Sequence, residues 1–130
     1  FLSNSNCRGL LNMAWGQDPP FNRTPAYYAL GHLSKFAAAG AYRVDSNELD
    51  SVHSLAFVNS DASAGLVVLN DAATEEALTV QWFGLACTLQ LPAESAATLV
   101  YTGAAVVQLW STVPAANILL ARQADLKCQS

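Results

Sequence analysis

The chain has 130 residues, of which 52% are apolar and 12% charged, and its six basic and ten acidic residues give a net charge of −4. That length makes one domain of ordinary size, and the composition excludes intrinsic disorder, which needs low hydrophobicity and high net charge. No Lys or Arg cluster exists to neutralise phosphates, so nucleic acid is excluded as an expected partner.

Residues 1–24 are irregular, with Gly9, Gly16, Pro19, Pro20 and several Asn. A short strand is predicted around Leu10–Trp15, then a turn at Gln17-Asp18-Pro19-Pro20. Phe1–Leu11 has no charged segment leading into an apolar run, so it does not read as a signal peptide. Either an upstream segment was removed or the chain is a piece of a longer polypeptide. Thr24-Pro25 reads as an N-cap followed by proline at the first helical position, opening a helix over 25–36. On that helix Tyr28, Leu33 and Phe36, with Ala29 and His32, are expected on one face.

From Ala41 onward the signal is β. Ser51–Asn59 and Gly65–Asn70 read as a hairpin joined by a turn at Ser60-Asp61-Ala62-Ser63. Leu78, Val80 and Trp82 alternate with Thr79 and Gln81, and Cys87, Leu89 and Leu91 alternate with Thr88 and Gln90. Each pattern describes a strand with one wet face, and it assigns Trp82 to the core. Ser95–Tyr101 follows the Pro92-Ala93-Glu94 turn as a further strand, and Val106–Trp110 and Ile118–Ala121 are candidates for one or two more. The stretch from Ser95 to Arg122 has no charge before Arg122 and is long enough to span a bilayer. Gln108, Ser111, Thr112 and Asn117, with Gly103 and Pro114 as breakers, argue for strands instead, so no membrane span is expected. The fold class expected is mainly β: an antiparallel β-sandwich of about 7–8 strands, Ig-like or Greek-key in type, preceded by one α-helix.

Little in these residues points to chemistry. His32 and His53 have no His, Cys or carboxylate at metal-ligand spacing, so no metal is expected, and no cofactor either. His32 reads as a hydrogen-bonded packing residue. No G-x-S-x-G elbow, P-loop or G-x-G-x-x-G is present. Asp18, Asp50, Asp61, Asp71 and Glu94 fall in turns, where carboxylates solvate the backbone. Asn22-Arg23-Thr24 is a glycosylation sequon that makes Asn22 a candidate modification site. Of three cysteines, Cys7 and Cys128 lie near opposite ends, where a clasp between termini is one option. Cys87 reads as a buried thiol in a strand, and the cysteines leave the redox compartment open. On these grounds alone the chain reads as a non-catalytic β domain.

One segment adds more. Ala26-Tyr27-Tyr28-Ala29-Leu30-Gly31-His32-Leu33-Ser34-Lys35-Phe36, followed by Gly40-Ala41-Tyr42-Arg43-Val44, resembles the last barrel helix of glucosylceramidase-like enzymes of glycoside hydrolase family 30. Leu49-Asp50, Ala56-Phe57-Val58-Asn59, Gly65–Asn70, Leu78-Thr79-Val80 and Leu91–Ala93 with Ser95–Thr98 resemble successive strands and turns of that family's C-terminal sandwich. The likeness covers about Leu10 to Thr102. It implies a division into residues 1–40, a remnant of the last barrel strand and helix; 41–103, the sandwich; and 104–130, an extension that adds one or more strands.

The resemblance implies a retaining β-glycosidase whose (β/α)8 barrel carries two glutamates on strands before the last one. Such a mechanism needs both carboxylates about 5–5.5 Å apart, and the resemblance places neither glutamate in this chain. Leu11-Asn12-Met13-Ala14-Trp15 aligns with the family's Trp-Asn-Leu-x-Leu at the barrel mouth; Asn12 is kept, and leucine stands where the sugar-stacking aromatic would be. Asn12, Trp15 and Trp110 are the carbohydrate-binding candidates. In the family a strand from the enzyme's N-terminus completes the sandwich and the helix packs on the barrel. Tyr28, Leu33 and Phe36 are therefore the interface candidates, and the tail over 104–121 is expected either to replace the absent strand, to dock a partner or to form a surface extension. Two functions follow: an accessory sandwich of a glucosylceramidase-like hydrolase, or a stand-alone binding or assembly protein derived from it. The partners implied are a barrel domain or other protein chain, through the helix and a sheet edge, and carbohydrate; the location implied is extracellular, lysosomal or otherwise secretory.

Overall fold

The computed structural model describes residues 9–13, 15–47, 49–82, 84–103, 105–112, 118–119 and 127–129. A hairpin comes first, with β1 (Leu11–Met13) antiparallel to β2 (Phe21–Arg23). The Gln17–Pro20 turn between them contains a cis Asp18–Pro19 bond. β2 lies where the sequence reads as loop, because three residues without clear alternation carry no strand signature of their own. Helix α1 (Pro25–Ser34) follows at the expected start and stops two residues short of Phe36.

Thr24 occupies the N-cap position with extended backbone but makes no side-chain cap bond to the helix. Its hydroxyl lies instead 3.0 Å from the carbonyl of Gly9 and 3.1 Å from that of Leu10, and its N–H donates to Leu10 at 3.0 Å. This buried residue ties the start of α1 to β1. A two-stranded hairpin is marginal in isolation, so such anchoring decides whether it is ordered.

The sandwich proper begins with β3 (Tyr42–Val44), β4 (Val52–Val58) and β5 (Ser63–Asn70), a meander in one sheet. The chain then makes the hairpin of β6 (Glu76–Trp82) and β7 (Leu85–Leu91) in a second sheet. It returns as β8 (Ser95–Thr102) beside β5 and adds β9 (Ala105–Thr112) and β10 (Ile118–Leu119). The last strand, β11 (Lys127–Gln129), crosses to pair with β7. The larger sheet has the order β10-β9-β8-β5-β4-β3 and the smaller β11-β7-β6, every pairing being antiparallel. Among the described residues the fold is thus mainly β with one helix, as expected. β11 falls in the 104–130 extension expected to add strands, but Lys-Cys-Gln is too short to show a period that would mark its position.

Alternation explains the layers. Ala64 and Val68 of β5, Val52 of β4, and Ala97, Leu99 and Tyr101 of β8 face the smaller sheet. There Cys87, Leu89 and Leu91 of β7 meet them, with Leu78, Val80 and Trp82 of β6 packed alongside. Trp82 lies against Tyr101 with ring centroids 5.3 Å apart, in agreement with its predicted core role, and its indole N–H reaches the Gly103 carbonyl at 3.3 Å. Thr98 and Phe57 point to the opposite face, so the larger sheet is covered there too, by α1 through His32. Phe57 lies over Gly65, its partner in register; a Cβ at Gly65 would come within 2.2 Å of that ring.

Two buried asparagines hold the connections. Asn59 accepts from the N–H of Ala38 and donates to the carbonyl of Phe36, both at 2.9 Å, fixing the exit of α1 to the β4–β5 turn. Asn70 donates to the carbonyls of Thr74, Leu91 and Pro92 and accepts from the N–H of Ala72, binding the loop before β6 to the turn before β8. Each joins segments more than 20 residues apart and supplies partners that buried backbone groups require.

Candidate functional site

The helix separates its apolar residues onto two sides. His32 is buried, and Tyr28 and Phe36, one turn away on either side, are half-buried. Facing away, Tyr27, Leu30 and Leu33 are exposed at spacings of three. The single stripe expected from Tyr28, Leu33 and Phe36 is therefore split: Leu33 faces outward, while Tyr28 and Phe36 flank the residue that meets the sheet. Tyr27 and Leu30, which the i, i+4 count passed over, belong with Leu33. The signal that finds them is that a ten-residue helix with apolar residues almost all round has two faces to cover.

Next to this helix stands the β1–β2 hairpin, whose Leu11, Met13 and Trp15 are exposed too, Trp15 at 89%. The Arg23 guanidinium carries the link, lying 5.8 Å from the Phe21 ring centroid and 5.3 Å from that of Tyr27 on α1. Contiguous exposed apolar side chains mark interaction surfaces more often than single ones do; here Arg23 joins the hairpin to Tyr27. Asn12 lies on β1 directly opposite Asn22 on β2, so the carbohydrate candidate and the sequon asparagine share one exposed hairpin with Trp15. Trp110 is remote from them in the chain, on β9, with Thr98 as its register partner.

A second feature lies between the sheets. A cleft of about 420 Å³ is lined by Leu49, Val52, Leu66, Val80, Trp82 and Tyr101, with Asp45, Ser46 and Asn47 at its polar side. The 45–47 segment is tied to β4, since Ser46 and Ser54 donate to the carbonyls of Ser54 and Asn47 respectively. Tyr101 is 2% exposed and its hydroxyl has no hydrogen-bond partner among the described residues; burial pushes its pKa up to about 12.

Titratable groups elsewhere are simply arranged. Burial pushes the His32 imidazole below its usual value, and its Nδ1 lies 2.7 Å from the Thr98 hydroxyl, which matches the packing role read from sequence. His53 pairs with Asp71 at 2.9 Å on the surface. Hydrogen bonds from the Ser63 hydroxyl and N–H hold the Asp61 carboxyl below the usual carboxylate range. Among the described residues no three His, Cys, Asp or Glu side chains gather where a metal would sit, and no helix is long and apolar enough to cross a membrane. Cys87 is buried as predicted, but it is disulfide-bonded and not a thiol. Cys7, one half of the optional clasp with Cys128, lies outside the described residues, as do 113–117 and 120–126 of the tail.

Comparison with known proteins bears on the sandwich. Residues 40–99 match the model of the glycosyl hydrolase family 30 beta sandwich domain. The lysosomal acid glucosylceramidase of Mus musculus is 37% identical over 62 residues, an alignment that covers 46% of this chain and 12% of that protein. No solved structure matches the chain.

Proposed function

We propose, from the match of residues 40–99 to the glycosyl hydrolase family 30 beta sandwich domain, that the chain is the accessory, non-catalytic sandwich of a glucosylceramidase-like retaining glycosidase. The observation that carries this reading is the two-sided helix. α1 is clamped to the sandwich from within by His32 and Asn59, and its outer residues Tyr27, Leu30 and Leu33 are left exposed, as are Leu11, Met13 and Trp15 of the hairpin that precedes it. A (β/α)8 barrel is the partner that fits this surface. The hairpin and helix would close the barrel wall, and the sandwich would hold them in position.

In this reading the glutamates and the glycoside belong to the barrel. This chain contributes rigidity and, through Asn12 and Trp15 at the exposed hairpin, a contact for carbohydrate; Trp110 is a third candidate for that contact. A secretory or lysosomal location, and a glycan on the exposed Asn22, go with the same reading. Hydrolysis of a fluorogenic β-glucoside is the test: the 130-residue chain alone is expected to give no turnover. Turnover that survives re-purification of the chain would overturn the non-catalytic assignment.

One observation favours the second reading, a self-standing binding or assembly protein. The tail supplies β9 and β10 to the larger sheet and β11 to the smaller, so part of the sandwich edge is covered by the chain itself. Under that reading the exposed helix and hairpin face would dock a protein other than a barrel, and analytical ultracentrifugation of the native chain would find it in an assembly.

A further inference from the structure

Cys87 is one half of a disulfide. It stands in the middle of β7, 1% exposed, and Cys7 and Cys128 are the other cysteines of the sequence. In the smaller sheet β11 runs antiparallel to β7 with Cys128 directly opposite Cys87, between the pairs Lys127–Thr88 and Gln129–Ala86. Directly opposed residues of an antiparallel pair have Cα atoms about 4.5–5.5 Å apart, within the roughly 4.4–6.8 Å that a disulfide spans. We propose that Cys87 and Cys128 form a cross-strand disulfide that fastens the C-terminal strand to the sandwich and closes the β7 edge.

The bond has a structural task. β11 is three residues long, too short an edge strand to hold its place by backbone hydrogen bonds alone. The chain reaches it from β10, at the edge of the opposite sheet, so the bond ties the two layers together from the far end of the tail. With β7 covered over 86–88, the longer of the two edge strands of the smaller sheet among the described residues is β6, and a strand added by a partner would pair there.

Formation requires an oxidant of the disulfide class, such as oxidised glutathione. One cysteine thiolate attacks a sulfur of the oxidant and expels a thiolate; the second cysteine thiolate attacks the mixed disulfide and expels the other. Two protons and two electrons leave the cysteine pair, and the oxidant departs as two thiols. This chemistry places folding in an oxidising compartment, and it does not depend on the glycosidase reading.

Trypsin separates the three cysteines into Phe1–Arg8, Val44–Arg122 and Cys128–Ser130. The experiment is a tryptic map of the oxidised chain, alkylated in denaturant without reduction and read by mass spectrometry. Val44–Arg122 is expected to carry the Cys128–Ser130 tripeptide and to lose it on reduction. A link from Cys87 to Phe1–Arg8, a link to Cys87 of a second copy, or an alkylated Cys87 would each overturn the proposal. The Cys7→Ser variant gives the second measurement: Cys87 is expected to stay blocked to alkylation in denaturant, and a reactive Cys87 would contradict the pairing.

Discussion

The Nδ1 atom of His32 lies 2.7 Å from the hydroxyl of Thr98, joining the helix to the centre of the larger sheet across 66 residues of sequence. Both side chains are buried, His32 at 1% exposure and Thr98 at 0%. Burial keeps the imidazole neutral by lowering its pKa, so the contact is a neutral hydrogen bond in an apolar setting.

Replacing Thr98 with Val keeps the shape and removes that partner from a buried nitrogen. A cost of about 1–3 kcal/mol is expected, measured by denaturant unfolding. The pH dependence follows from the direction of the His32 shift. The unfolded chain takes up a proton near pH 6.5 and the folded chain only at lower pH, so stability is full above about 6.5 and falls as the pH drops below it. His32→Gln is expected to flatten that part of the profile. An unchanged slope would show that another group carries it.

Gly65 tests the outer face of the same sheet. Its missing Cβ makes room for the Phe57 ring, so Gly65→Ala is expected to destabilise by about 1–3 kcal/mol through overpacking. The double variant with Phe57→Leu is expected to recover part of the loss, as coupled neighbours do.

Tyr101 behaves oppositely. Its hydroxyl is buried without a partner among the described residues, so Tyr101→Phe is expected to be neutral or to stabilise by about 1 kcal/mol. The pKa of about 12 against the usual 10 means that wild-type stability holds up to pH 10 and falls from pH 10 to 12, where the unfolded chain ionises first. In the Phe variant that alkaline decline is expected to be smaller, measured by unfolding at pH 9 and 11.

On the exposed side of α1, Leu30 and Leu33 keep 50% and 36% of their surface open, so Leu30→Glu with Leu33→Glu removes apolar surface offered to a partner and some packing within the chain. Stability of the isolated domain is expected to fall by about 0.5–3 kcal/mol, while association with a barrel segment, followed by co-purification under conditions where the variant is folded, is expected to be lost. A double variant that still binds would remove this face from the interface.

Much of the sandwich is legible in the sequence because period-2 alternation is a direct print of burial on one face. Leu78-Thr79-Val80-Gln81-Trp82 and Cys87-Thr88-Leu89-Gln90-Leu91 both landed on strands with the expected side inward. The Thr24-Pro25 pair marked the helix start, although the Thr24 hydroxyl bonds to the carbonyls of Gly9 and Leu10 and not to the helix, since an N-cap signal says where the chain turns and not which acceptor is nearer. The positions of β2 and β11 were invisible because three residues hold too little pattern. The split of the helix into a face on His32 and a face on Leu30 was not legible either: periodicity gives a stripe but not the layer that covers it.

The intact mass of the native polypeptide, taken under denaturing and reducing conditions, tests the accessory-domain reading most directly. A barrel needs roughly 250 residues, so a mass of about 50 kDa or more is expected, with this chain as its sandwich end. A native mass near 13.8 kDa, with no larger chain alongside, would contradict that reading and leave a self-standing binding protein.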